Sequence, residues 1–266
     1  MSISPEICSI QGTNYRMTVS GQGETVVFLH GGHTNLDVWE EQISFFARYF
    51  RVIAFDQRGY GHTDIPSEPF SYEDDLKHIL DEYMIERAIL IGASFGGSVA
   101  IDFALTYPDR VKALVLAGPA VNGNKLPLRM RLESIKSYVA VKSKGIHTAA
   151  DQFERNRYWK YFIPKQADRR KRFMDIFRTN EAFYTWDLKL NKSLSPPAAA
   201  RISEIRMPTL IIEPGDDLKF NIKTCQRLQK GISQSELVRL PHCGHLPNLE
   251  RPDEFNEAVY AWLLKL

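Results

Sequence analysis

Gly92-Ala93-Ser94-Phe95-Gly96 is the stretch on which the reading of this chain turns. It spells G-x-S-x-G. The apolar run Ala88-Ile89-Leu90-Ile91 precedes it, and Gly97-Ser98-Val99-Ala100-Ile101-Asp102-Phe103-Ala104, which reads as a helix, follows it. Strand, tight turn and helix form the setting in which this motif presents its serine as a nucleophile. A turn this tight strains the serine backbone. Side chains in place of its glycines would collide with strand and helix. The hydroxyl of Ser94 is then held above the sheet, at a helix start that offers free N–H groups to a developing anion.

Two other segments strengthen that reading. Upstream, the β-rich run Thr25-Val26-Val27-Phe28-Leu29 ends in His30-Gly31-Gly32. Acyl transfer passes through an oxyanion that needs two N–H donors aimed at one point. Phe95, just after the serine, and Gly32, in the loop after this early strand, are the expected donors. Downstream, a serine needs a base and an acid that orients the base. His245 lies in Leu240-Pro241-His242-Cys243-Gly244-His245-Leu246-Pro247, after a strand-like run at 236–240. A helix is expected over 252–264, with Pro, Asp and Glu in its first turn. Asp217 follows the strand-like run at 209–213, so the chain order is Ser94, Asp217, His245.

With these motifs in view, the chain resembles the α/β-hydrolase superfamily of esterases, lipases and C–C hydrolases. The likeness rests on Leu29-His30-Gly31-Gly32, the loop Phe55-Asp56-Gln57-Arg58-Gly59-Tyr60-Gly61-His62-Thr63, the serine turn, the acid turn, and Gly244-His245 followed by Pro252. It spans nearly the whole length. It implies an α/β fold: a mostly parallel twisted sheet flanked by helices, with an inserted all-helical cap. The core would be residues 1–118 and 198–266, and the cap residues 119–197. The acid turn departs from the family's Gly-x-x-Asp, because the run here is Pro214-Gly215-Asp216-Asp217. Asp217 is the expected acid if Pro214 takes the glycine position. Asp216 is the alternative and Glu213 a distant third. The family places its base in the Gly-His position, which favours His245 over His242. His30 and His33 read as structural. His62 belongs to a loop expected to buttress the His30-Gly31 turn, in which Asp56 and Arg58 are expected to pair.

Composition fits this class. The chain has 266 residues and a formal net charge of +2, enough length for one large core. No apolar stretch reaches the roughly 18 residues of a membrane span. Met1-Ser2-Ile3-Ser4-Pro5-Glu6-Ile7 has neither the basic start nor the apolar centre of a secretion signal. Cys8, Cys225 and Cys243 are odd in number and scattered, which speaks for neither a disulfide framework nor a metal site. A cytoplasmic, cofactor-free and metal-free enzyme is therefore expected.

Strands are expected near 15–19, 25–29, 51–55, 88–91 and 111–116, and a helix over 71–83 opens with the capping pattern Ser71-x-x-Asp74. Residues 119–197 show no strand pattern and read as helices rich in Arg, Lys and aromatics. Residues 119–200 hold 17 Lys and Arg against 7 Asp and Glu, whereas the rest of the chain is net negative. Arg169-Arg170-Lys171-Arg172 is part of that excess. It reads either as a solvated face or as a means of attracting an anionic substrate or membrane surface. No motif accompanies it that would point to nucleic acid. Aromatics of this region, such as Tyr158, Trp159 and Trp186, are candidates to line a substrate pocket. The leading expectation is a serine hydrolase cleaving a small or medium carboxylic ester through an acyl-enzyme. C–C bond hydrolysis, lactone opening, perhydrolysis, or slow-turnover ligand binding on the same triad are the alternatives.

Overall fold

The computed structural model describes residues 4–266. Residues 1–3, the start of the stretch searched for a leader, lie outside them. In chain order the regular elements are β1 (Glu6–Ile10), β2 (Thr13–Ser20), β3 (Thr25–Leu29), α1 (Glu40–Phe46), β4 (Arg51–Phe55), α2 (Tyr72–Glu82), β5 (Ala88–Ala93), α3 (Phe95–Thr106), β6 (Val111–Ala117), α4 (Leu128–Arg155), α5 (Ala167–Arg178), β7 (Thr209–Pro214), α6 (Lys219–Gly231), β8 (Ser235–Leu240), α7 (Pro247–Glu250) and α8 (Pro252–Leu263). Short 3₁₀ turns join several of them.

All eight strands form one sheet in the order β1-β2-β4-β3-β5-β6-β7-β8. The pairs β1·β2 and β2·β4 are antiparallel, and every pair from β4 to β8 is parallel. Parallel strands must be covered on both faces, which is why β3, β5 and β7 are buried at every position rather than alternately. Successive side chains still point to opposite faces. Val26, Phe28, Ile89 and Ile91 pack on the side of Trp39, Phe46 and Phe255. Val27, Leu29 and Leu90 pack on the other side, with Leu76, Phe103 and Leu228.

The order of the strands creates the site. From β3 the chain passes to β4 on one side, then crosses to β5 on the other. β3 and β5 lie side by side in register, Leu29 opposite Gly92. The loops that follow them, His30-Gly31-Gly32 and Ala93-Ser94, therefore emerge together at the carboxyl edge, where the winding direction switches and α/β sheets bind ligands.

β2 covers the strand expected near 15–19, whereas β1 shows no apolar pattern, because three of its five residues are exposed. The signal of the β1·β2 hairpin is Gln11-Gly12, both at positive φ, which is the two-residue turn that matches strand twist. The helix start at Ser71 matches the pattern in part. The Ser71 hydroxyl accepts from the Asp74 N–H at 3.1 Å, while the Asp74 carboxylate turns to the Tyr107 hydroxyl instead of closing the box.

Between β6 and β7 the chain adds no strand to the sheet. It forms α4, broken at Gly145, then α5 and a series of 3₁₀ turns. A single parallel bridge, Phe70 to Asn191, ties it to the loop before α2.

The loop after β4 differs from expectation in its ion pairs. Arg58 does not pair with Asp56. Its guanidinium forks onto Asp75 of α2, with the closer contact at 2.5 Å, and also meets the Tyr15 hydroxyl. Asp56 is buried. It accepts N–H bonds from Leu36 and His62 and faces Arg16 at 3.4 Å. Two residues apart in a turn, Asp56 and Arg58 point to different neighbours, and each finds its partner on another element.

Candidate active site

Ser94 joins β5 to α3 at φ 50°, ψ −113°, a conformation that L-residues rarely adopt. Its N–H donates to Ala117 at the end of β6, and its carbonyl accepts from Gly97, Ser98 and Ala120. The strain is thus held by bonds to two elements. A Cβ at Gly96 would run into the Leu29 carbonyl, so only glycine lets α3 start this close to β3.

The His245 imidazole meets both neighbours. Nε2 lies 2.8 Å from Ser94 Oγ, and Nδ1 lies 2.7 Å from Asp217 Oδ2. The Asp217 carboxylate is fully enclosed. Its other oxygen accepts from the Leu218 N–H and from Asn221 Nδ2, both at 2.7 Å. With Nδ1–H donated to Asp217, Nε2 presents its lone pair to the serine, the tautomer a general base requires. The His245 N–H donates to the Tyr161 carbonyl, and the Phe162 ring lies 4.8 Å from the imidazole, so the segment between β6 and β7 helps hold this ring.

Asp216 points elsewhere. It is exposed and bonded to Lys165, whose ammonium holds that carboxyl below its usual range. His242 is exposed in the loop, at φ 54°. Gly32 and Phe95 border the same cavity as Ser94, and neither N–H has an acceptor among the described residues.

His30 is buried at the start of the His30-Gly31-Gly32 loop. Its Nδ1–H donates to the Gly31 carbonyl, and its Nε2 accepts from the Gln57 N–H. Burial pushes its pKa down to about 4, so the ring is neutral and braces the loop. Tyr60 packs edge-on against it. His33, whose pKa burial and then the nearby His245 lower to about 4, borders the cavity, stacks on Phe177 and bonds the Tyr184 hydroxyl.

The cavity above Ser94 measures about 720 Å³. Trp159 and Trp186 line it, but Tyr158 does not; Tyr158 lies beneath the Arg129 guanidinium instead. Among the described residues, no Asp, Glu, Lys or Arg lines it. The run at 169–172 lies away from it. Arg169 and Arg172 reach Glu40 and Glu41 of α1, Lys171 pairs with Asp175, and Arg170 bonds backbone carbonyls. Arg169 and Arg172 thus tie α5 to α1, and of the two readings of this run the one that draws an anionic substrate to the cavity finds no support in its placement.

A model of the alpha/beta hydrolase fold matches residues 24–252. The chain belongs to the alpha/beta hydrolase family. It is 30% identical to the AB hydrolase superfamily protein YisY of Bacillus subtilis, over 90% of this chain and 91% of that one. It is 29% identical to a 2-hydroxy-6-oxononadienedioate/2-hydroxy-6-oxononatrienedioate hydrolase of Paraburkholderia phymatum, over 95% and 92%. Among solved structures it resembles Est816, described as an N-acyl homoserine lactone degrading enzyme, with TM-score 0.75, 26% identity, and 96% and 99% of the two chains covered. The protein is thus a hydrolase of this family, and no helix among its described residues is long and apolar enough to cross a membrane.

Asn221 was not foreseen. Its only trace in the sequence is its place four residues after Asp217, which lies in the turn just before α6 while Asn221 lies in the first turn of that helix. Asp102, on α3 behind Ser94, is a second surprise. It is 8% exposed; Oδ2 accepts from Asn122, while Oδ1 has no partner among the described residues. Burial, then the carboxylate of Glu73, raises its pKa from 3.8 to about 7. Because the folded value lies above the unfolded one, this group's contribution to stability is complete below pH 3.8 and is lost as pH rises through 7. Asp102→Asn removes the penalty. Its unfolding free energy relative to the parent is expected to rise between pH 4 and pH 8 by a few kcal/mol, each tenfold change in proton affinity being worth about 1.4 kcal/mol. Denaturant titrations at the two pH values measure this, and a pH-independent difference would contradict a buried, unpaired carboxylate.

Proposed function

We propose that this hydrolase cleaves a neutral, largely apolar carboxylic ester of small or medium size through an acyl-enzyme on Ser94. The carrying observation is the Ser94–His245–Asp217 hydrogen-bond chain at the floor of a cavity lined mostly by aromatic and aliphatic side chains with a few Asn and Ser and, among the described residues, by no acidic or basic residue except histidine. In this reading Ser94 Oγ attacks the ester carbonyl as its proton passes to His245 Nε2. Asp217 stabilises the imidazolium, and the N–H groups of Gly32 and Phe95 receive the oxyanion. His245 returns the proton to the departing alcohol. Water, deprotonated by the same ring, then attacks the acyl-enzyme, and the acid leaves. Asn221, by donating to one carboxylate oxygen of Asp217, holds the other towards His245 Nδ1. Residues 119–197 act as the cap, with Trp159 and Trp186 contacting substrate.

The uncharged lining favours some of the related chemistries over others. The Paraburkholderia relative is named for a dicarboxylate. A carboxylate moved from water into this cavity would meet no cation, at a cost of several kcal/mol. A lactone, being a cyclic neutral ester, fits as an open ester does.

A p-nitrophenyl ester panel tests the proposal. Neutral acyl groups of increasing length are expected to be hydrolysed with sustained turnover. Each ω-carboxylate analogue of equal length is expected to have kcat/KM lower by about 100-fold or more, from the desolvation cost. Preference for the charged analogues, or release of a single equivalent of nitrophenol without turnover, would overturn it.

A further inference from the structure

We propose that the outer face of α4 docks the protein on an anionic lipid surface, from which apolar substrate passes into the cavity. Leu128, Leu132, Ile135 and Val139 are spaced by three and four residues, so they form one stripe along the helix. They are 69, 49, 56 and 54% exposed. Single exposed apolar residues are ordinary, but a contiguous stripe marks an interaction surface. This stripe reaches the mouth of the cavity. Leu126, Ile135 and Leu188 are each exposed, and each also lines the cavity that ends at Ser94. Apolar surface therefore runs unbroken from the outside of the protein towards the nucleophile.

The flanks of the stripe identify the partner. Residues 125–144 carry six exposed cations, Lys125, Arg129, Arg131, Lys136, Lys142 and Lys144, against a single acid, Glu133. On the helical wheel Arg131 and Lys142 border one side of the stripe, and Arg129 and Lys136 the other. An apolar stripe edged by Lys and Arg is the pattern of a helix lying in a lipid interface, with the cations at headgroup level. A second copy of the chain fits less well, because a two-fold contact through this face would set the positive flanks of one copy against those of the other. Substrate delivery rests on the esterase reading above; docking itself does not.

Binding to sucrose-loaded vesicles of ether-linked lipids, which offer no ester to cleave, tests the docking. Vesicles containing ether-linked phosphatidylglycerol are expected to sediment at least about tenfold more protein than phosphatidylcholine ether vesicles alone. That excess is expected to vanish at high salt, where the Debye length shrinks to about 3 Å. Leu132→Asp with Val139→Asp, neither of which lines the cavity, is expected to abolish vesicle binding while leaving kcat/KM on soluble p-nitrophenyl acetate unchanged. Arg131→Gln with Lys142→Gln is expected to weaken binding to the anionic vesicles alone. Equal binding to both vesicle types, no binding to either, or unaltered binding by the Asp pair would overturn the proposal. So would a concentration-dependent dimer that the Asp pair dissolves. Vesicle binding as expected in a protein that hydrolyses no ester would leave the docking intact and remove the esterase reading.

Discussion

Replacing Ser94 with alanine is expected to lower kcat on a neutral ester by about 10⁴–10⁶, because nucleophile, base and acid act as a unit and what survives is the contribution of binding and the oxyanion donors. The fold should persist. Ser94 makes its structural bonds through its backbone, which alanine keeps, and the lost hydroxyl bonds only to His245. The positive φ is equally uncomfortable for both residues, so strain does not separate them. A fluorophosphonate probe should label Ser94 in the parent and nothing in the variant. Labelling at a different serine, or an alanine variant that still turns over at the parental rate, would refute the assignment of the nucleophile.

The second large effect concerns two adjacent aspartates. Asp217→Asn is expected to reduce kcat by roughly 10⁴, because an amide opposite Nδ1 no longer favours the tautomer that leaves Nε2 free to accept the serine proton. Asp216→Asn is expected to change kcat little. Its carboxylate is exposed and holds only Lys165, a surface pair worth about 0–1 kcal/mol. Parallel kinetics on the two variants, with unfolding curves to show both are folded, measure the contrast. Losses of equal size, or the reverse order, would mean that the acid has been assigned to the wrong residue.

Much of this architecture could be read before any coordinates. Apolar runs of strand length at 25–29, 88–91 and 209–213 have only one use in a chain that alternates them with amphipathic helices, and that use is a parallel sheet. The glycines of the serine turn announced a backbone approach that no side chain permits, and the Cβ clash at Gly96 is its physical content. Less was legible where a residue's partner is distant in sequence. Arg58 and Asp56 looked like a pair because they are neighbours in the chain, yet Arg58 bonds Asp75 and Asp56 faces Arg16. The basic run at 169–172 has a composition that fits anion steering and a placement that does not, since Arg169 and Arg172 face the acidic start of α1.

The sequence by itself determined the fold class, the family, the turn that exposes Ser94, and the chain order of serine, acid and histidine. These follow from local rules: the period of apolar residues, the conformational freedom of glycine, and motifs whose chemistry depends on close spacing. Only the tertiary structure decided which of Asp216 and Asp217 faces His245, that Asn221 completes the hydrogen bonds of Asp217, that Tyr158 stands outside the cavity while Trp159 and Trp186 line it, and that among the described residues the lining carries no acidic or basic residue except histidine. Each of these is a question of where a side chain points once distant segments pack. Direction at that scale is set by the register of β3 against β5 and by the docking of the segment between β6 and β7, which no local pattern encodes.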